Sequence, residues 1–421
     1  MRPLSVWLAT ALAVAGGWAS AAEAIPLGGN VESLLGYARA HHPEFAALRF
    51  DAAAAAARVD PAGALPDPML GVELRDFVSA TSGSSNLLPS RVGSTRYTLS
   101  QSLPWFGKRD LKRDVAAAGA DEAQGQAAAG WVDLAWQIKQ TYAQHHIHLA
   151  SLQYGHETID LLTQLEQITQ VRYANGLAPQ SDVIRAQTER SALRSDLAML
   201  EGENDQASAR MRSLLGQPAN VQLLPPEQLR PLPPAAKLDP AALETRLVER
   251  NPRLATDAAR IGGAEKSREL TYKNRYPDFN VGLSAIQTRE RVSSWDLMVE
   301  INIPLQQEKR RDQEREAEAM LDAAKSRKMA TFNQAMADLA TSLAGLQSAQ
   351  RVEELVGGSL LPQAELTLQA ALAGYATGKV DFAAVIDAQR QIRKAKEDLV
   401  KARATQQMRL ADIERVIGEE L

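Results

Sequence analysis

Fifteen residues beginning at Tyr173, YANGLAPQSDVIRAQ, return at Tyr375 as YATGKVDFAAVIDAQ, with Tyr, Ala, Gly, Val, Ile, Ala and Gln in register 202 residues on. A repeat of that length exceeds any solenoid or propeller unit, so the chain holds two copies of one half-unit. Each copy sets a glycine, Gly176 or Gly378, directly before an amphipathic helical stretch. The reading is a loop that interrupts two helices without ending the bundle they share. Tyr173, Gly176, Tyr375 and Gly378 are therefore expected in loops part-way along the helices, at an equator.

Each copy opens with helical sequence broken at a proline, His42 and Pro43 in the first and Asn251 and Pro252 in the second, and each pair runs on to a Pro-Asp, at Asp67 and Asp278. A proline there marks a new helix start. The period then changes to two. Leu70, Val72 and Leu74 oppose Glu73 and Arg75; Tyr97 and Leu99 oppose Arg96, Thr98 and Ser100. In the second copy Phe279, Val281, Leu283 and Ala285 alternate with Asn280, Gly282 and Ser284, and Trp295, Leu297, Val299, Ile301 and Ile303 alternate with Asp296, Met298, Glu300 and Asn302. These are four strands, two per copy, each with one apolar and one polar face and close to the ~9–11 residues of a tilted membrane strand. Four strands cannot close a barrel, so other copies of the chain must complete the sheet, and three copies give twelve strands. The stretches 78–95 and 287–294 are then external loops.

After Pro104 and Pro304 the helical period returns over long runs. Leu193, Leu197, Leu200, Asn204, Ala207, Met211 and Leu214 form one seam, and Met329, Phe332, Met336, Leu339, Leu343 and Leu346 another, both with coiled-coil spacing. Gly155 and the pair Gly357 and Gly358 stand at equivalent places, and the long helices are expected to reverse there at two tips. Between the copies, 218–240 is proline-rich and reads as an extended linker. The domain reading is thus 1–24, 25–217, 218–240 and 241–421.

Residues 4–15 form an apolar run after Arg2, followed by small residues, which is the pattern of a secretory signal peptide ending by 24. No later stretch reaches the ~20 apolar residues of a spanning helix. The net charge of −4 and the absence of long basic runs argue against a nucleic-acid partner. The chain has no cysteine, hence no disulfide, thiolate site or lipid-attachment cysteine. It has no HExxH or GxSxG, and the stretch 374–379 lacks both the spacing and the hydroxyl of a phosphate loop, so the chain is read as no enzyme and needs no cofactor.

With these features together the sequence resembles the outer-membrane efflux protein (TolC-like) family. The residues that carry the resemblance are Leu65, Pro66, Asp67, Pro68, Met69 and Leu70, the stretch TLSQSLPWFGKR at 98–109, and both repeat copies. PDPML and QSLPWFGKR are most similar to the heavy-metal efflux branch. The resemblance implies a mostly α fold with a small β part: duplicated long-helix hairpins forming a periplasmic coiled-coil barrel, joined to a trimeric twelve-stranded outer-membrane β-barrel. It implies a homotrimer, a periplasmic adaptor (membrane fusion) protein, an inner-membrane RND-type pump and outer-membrane lipid as partners, with heavy-metal cations as cargo. Drug efflux or type I polypeptide secretion is the alternative within that architecture, and an exported coiled-coil scaffold or adhesin the alternative outside it. The adaptor would dock on the helix tips at Gly155, Gly357 and Gly358. Family members place acids at a periplasmic gate a little after the second tip, and Glu365, eight residues past Gly357, is the acid nearest that place. His145 and His148, three apart on one helix face, are weak candidates for a metal ion, and a solvated tip that tolerates histidine explains them better.

Overall fold

The computed structural model describes residues 27–77, 87–89 and 92–421. The segment read as a signal peptide and most of the first external loop lie outside the described residues. The first copy contains α1 (Val31–His41), α2 (Pro43–Ala57), α3 (Val59–Gly63), β1 (Met69–Arg75), β2 (Ser94–Leu103), α4 (Lys108–Ala174) and α5 (Gln180–Leu214). The second contains α6 (Pro240–Arg250), α7 (Pro252–Lys273), β3 (Phe279–Thr288), β4 (Arg291–Ile301), α8 (Gln307–Leu355), α9 (Leu361–Ala376) and α10 (Phe382–Ile417). Local chemistry sets the short helices. Asn30, His42, Asp239 and Asn251 each accept a hydrogen bond from an N-terminal amide of the helix they cap, and Pro43, Pro240 and Pro252 occupy first-turn positions that need no amide hydrogen.

The long helices run further than the sequence pattern predicts. α4 runs 67 residues without a break, about 100 Å at 1.5 Å per residue. Gly155 is buried inside it rather than at a reversal. A Cβ there would stand 2.4 Å from Leu197 Cδ2 on α5. In the second copy α8 passes through one π-helical turn (Val356–Leu360) into α9, so the helix also continues through Gly357 and Gly358. A Cβ at Gly357 would meet Leu399 Cδ1 at 3.4 Å. Leu197 and Leu399 are themselves 202 residues apart, so Gly155 and Gly357 face equivalent leucines, closely in the first copy and at ordinary contact in the second, while Gly358 faces open space.

The reversals lie instead at the repeated Tyr-Ala-x-Gly segments, which correct the expectation of equatorial loops. Gly176 and Gly378 take φ of +71° and +73°. Gly176 N–H bonds Tyr173 O and Leu177 N–H bonds Arg172 O; Gly378 N–H bonds Tyr375 O and Lys379 N–H bonds Gly374 O. That paired pattern ends a helix and turns the chain, and only glycine adopts the left-handed position without strain.

The four strands form one antiparallel sheet in the order β1-β2-β3-β4. β3 and β4 run further than the alternation predicts and meet at Arg289 and Glu290, so the second external loop is a tight hairpin. Three cores hold the helices. One joins α1, α4 and the end of α5; one joins α6, α8 and the end of α10; the third, at the far end, joins both hairpins through Leu162, Leu193, Leu368, Phe382 and Ile386. The α5 seam is buried at Leu193, Leu197, Ala207 and Met211. In α8 the buried line is Ala335, Leu339, Ser342, Leu346 and Ala349, while Met329 is 61% exposed, so the expected seam is shifted in its first turns. Residues 219–234 between the copies have no regular structure and are fastened where the single Tyr142 Oη–H is shared between Gly29 O (2.8 Å) and Gln228 O (3.0 Å).

Candidate functional site

Two places combine unusual exposure with organised chemistry: the sheet at one end and the paired turns at the other. In the sheet, residues that face each other across strands share a face. Leu70, Leu99, Leu283 and Leu297 form one continuous row over all four strands, and Val72, Tyr97, Ala285 and Trp295 form the next. All four leucines are exposed, Leu297 by 73%. The other face is polar. Arg96 on β2 lies 3.2 Å from Asp296 on β4 and 3.8 Å from Glu73 on β1, Thr98 and Ser284 hydroxyls are 2.8 Å apart, and Asn280 donates to Glu300 at 2.9 Å. Nothing in the described chain covers the leucine row, and β1 and β4 leave their outer edges unpaired. An apolar face suits lipid, where an open edge would strand several kcal/mol of unmet backbone hydrogen bonding per group.

At the turns the two hairpins of one chain interlock. The Arg172 guanidinium sits 4.8 Å from the Tyr375 ring centroid and donates to Ala376 O at 3.2 Å. Tyr375 is buried and its hydroxyl has no hydrogen-bond partner among the described residues. Burial foremost, then the Asp182 carboxylate, pushes the Tyr375 hydroxyl up, against Arg172. Asp182 is itself pushed up by burial and by Asp381, against the pull of Arg185 and Arg172. Asp381 also caps α10 by accepting from Ala384 N–H at 3.0 Å. Further up, Glu189 pairs with Arg390, and Glu157 with Lys396 at 3.2 Å.

The expected site residues fall differently. Gly155, Gly357 and Gly358 lie within helices, roughly 30 Å of helix away from the turns. Glu365 is exposed on α9, thirteen residues before Gly378. His145 is buried, with Nε2 3.3 Å from Ser208 Oγ, and burial holds its imidazole below the ordinary value. His148 Nδ1 is 3.3 Å from Glu203 Oε2. Each histidine thus faces α5, and among the described residues no group of three or more His, Asp or Glu is placed to hold a metal. Arg172, Asp182 and Asp381 escaped the sequence reading, although the repeated turn they flank was its strongest signal. Among the described residues no helix is long and apolar enough to cross a membrane.

The family profile described as outer membrane efflux protein matches residues 34–217 and 244–419. Among solved structures, the outer-membrane channel OprN is similar with a TM-score of 0.77 at 17% identity, over 92% of this chain and 89% of that one. The outer membrane protein VceC from Vibrio cholerae gives 0.78 at 16%, over 93% and 96%. CusC gives 0.72 at 18%, over 93% and 92%. At these identities the likeness is one of fold. No curated protein matches in sequence.

Proposed function

This chain belongs to the outer membrane efflux protein family, and from that premise we propose that three copies of it form the outer-membrane exit duct of a tripartite efflux system. The observation that carries the reading is the uncovered leucine row between two open strand edges. β1 and β4 run in opposite directions, so β4 of one copy against β1 of the next continues the antiparallel order, and three sheets close a barrel of twelve strands. The leucine row then faces lipid and the Arg96 side faces water. The long hairpins continue the duct across the periplasm, and an inner-membrane pump supplies the energy.

The periplasmic end of this duct is formed by the turns at Gly176 and Gly378, and a periplasmic adaptor docks there, beside the exposed Leu177. Closure is assigned to this end, where Arg172 of one hairpin ties to Tyr375 and Ala376 of the other and the Asp182 and Asp381 carboxylates repel each other beside them. Glu365 lies about 20 Å of helix away, which removes the reason for choosing it. Heavy-metal cations are the proposed cargo, on the strength of the PDPML and QSLPWFGKR stretches; drug export is tested alongside.

Because the chain has no cysteine, single cysteines can be placed along β1 and β4 without background. Oxidation of variants paired near Gly71 and Met298 should give a covalent trimer in the outer-membrane fraction. A monomer at every pairing would reject the barrel. Deletion of the gene should sensitise cells to metal cations; sensitisation to dyes and detergents alone would move the cargo to drugs.

A further inference from the structure

The helix end of the sheet carries a second surface, and its interpretation deepens the outer-membrane reading and rests on it. Trp105 stacks on Tyr276 and on Phe279, with ring centroids 5.2 and 5.7 Å apart. Phe279 lies opposite Leu103 and Ile301 on the apolar face, so the stack extends that face beyond the strands. Phe106, next to it, is 81% exposed. The Lys273 ammonium is 5.8 Å from the Tyr276 ring centroid. Of the acids beside it, Glu269 pairs with Lys266 at 3.4 Å, and Asp278 is engaged through Oδ1, which accepts from Lys108 Nζ and Trp105 N–H, each at 2.8 Å, with the Lys112 charge acting on it from further off. Lys273 and the exposed Lys112, one turn beyond Lys108, form no ion pair with a described carboxylate. In a chain of net charge −4, the eleven residues adjoining each strand end on this side (58–68, 104–114, 268–278 and 302–312) hold eleven bases and eight acids.

We propose that this collar binds the headgroup of an anionic phospholipid in the periplasmic leaflet, Lys273 and Lys112 meeting the phosphate while Phe106 enters the acyl region. Aromatic rings settle at the level of the headgroups, with an apolar body and a polar edge. Lysines beside them add attraction to anionic lipid, about fivefold in affinity for each. The leaflet follows from the fold: strands become helices at this end, whereas the opposite end carries the hairpin at Arg289 and Glu290.

The detergent-purified full-length oligomer is titrated with phosphatidylglycerol or phosphatidylcholine of the same acyl chains, and separately with lipopolysaccharide, and bound lipid is read by native mass spectrometry. The expected result is preferential retention of phosphatidylglycerol, reduced about fivefold by Lys273→Gln and further by adding Lys112→Gln, while Lys266→Gln, two turns deeper in α7, changes little. Equal retention of both lipids, or an equal loss with Lys266→Gln, overturns the proposal. Preference for lipopolysaccharide over phosphatidylglycerol overturns the leaflet. Should a variant fail to assemble, the unaltered protein still decides: its preference must fall as salt rises, and a salt-independent preference rejects the lysines. Recovery of the oligomer from outer membranes, measured separately, reports on the barrel and not on the lipid.

Discussion

The two hairpins of this chain have one backbone plan and different interiors. At position 166 the first buries a glutamate whose carboxylate pairs with Arg190 and accepts from Gln187 Nε2 at 3.0 Å. The positions 202 residues on are Leu368 and Ile392, both buried in apolar surroundings. Tyr173 is 48% exposed, and its counterpart Tyr375 only 6%. What is common is the turn glycine, the second glycine at the helix approach, and the leucine that this approach admits. The plan is thus set by backbone constraints, while the seam tolerates either an ion pair or two aliphatic side chains.

The largest test of that comparison strands a charge. Glu166→Leu leaves Arg190 facing an apolar seam and should cost about 3 kcal/mol of stability, because one member of a largely buried pair has been removed. Adding Arg190→Ile reproduces the second hairpin's pair and should recover most of the loss in urea or thermal unfolding of the purified oligomer. If the double variant is as unstable as the single one, the two interiors are not interchangeable. Next come the turns: Gly176→Ala and Gly378→Ala force a Cβ into the left-handed region and should each cost about 1 kcal/mol, equally in both hairpins.

The helix glycines should separate the copies. Gly155→Ala drives Leu197 from its place and should lower stability by about 1 kcal/mol, whereas Gly357→Ala has room beside Leu399 and should gain up to about 1 kcal/mol of helix propensity. Tyr375→Phe removes a buried hydroxyl without a partner and should be neutral or stabilising by about half a kcal/mol, and Tyr173→Phe should change nothing measurable.

The smallest effect concerns pH. Glu157 and Glu189 are held below the usual carboxylate range, first by hydrogen bonds from Lys396 and Arg390. An acid depressed in the folded state contributes stability above its unfolded value and loses it as pH falls through the folded one. These ties should hold at neutral pH and weaken only below the usual glutamate range. Asp182 has the opposite sign: burial pushes it up, so it takes a proton first, and that relieves its cost. Conductance in planar bilayers between about pH 6 and pH 3 checks both signs; unchanged opening throughout would remove Asp182 from closure and give the two glutamate pairs no part in it.

Much of this was legible in one dimension. Alternation placed all four strands within a few residues, since the side-chain period of two shows directly in residues such as Trp295, Leu297 and Val299. The helix starts at Pro43 and Pro252 were equally plain, because a proline acts through its own ring. The tips were misplaced because a glycine serves a reversal and a close helix approach equally well. Gly155 stays helical against Leu197, whereas Gly176 turns left-handed in open space, and neither outcome is written in the glycine itself. The Arg172, Tyr375 and Asp182 cluster was invisible because its members lie up to 203 residues apart.

Composition and period alone determined that this chain is two copies of a strand-and-helix unit, that each strand has a wet and an oily side, and that one copy of the chain cannot complete its own wall. These are short-range consequences of side-chain polarity and of the permitted backbone angles, and each is written within a few neighbouring residues. Only the tertiary structure decided which glycines turn the chain, how far the helices run before they do, and which charges meet at the far end. Those outcomes depend on which atoms arrive opposite one another after the chain has folded back on itself, and local sequence does not carry that distance.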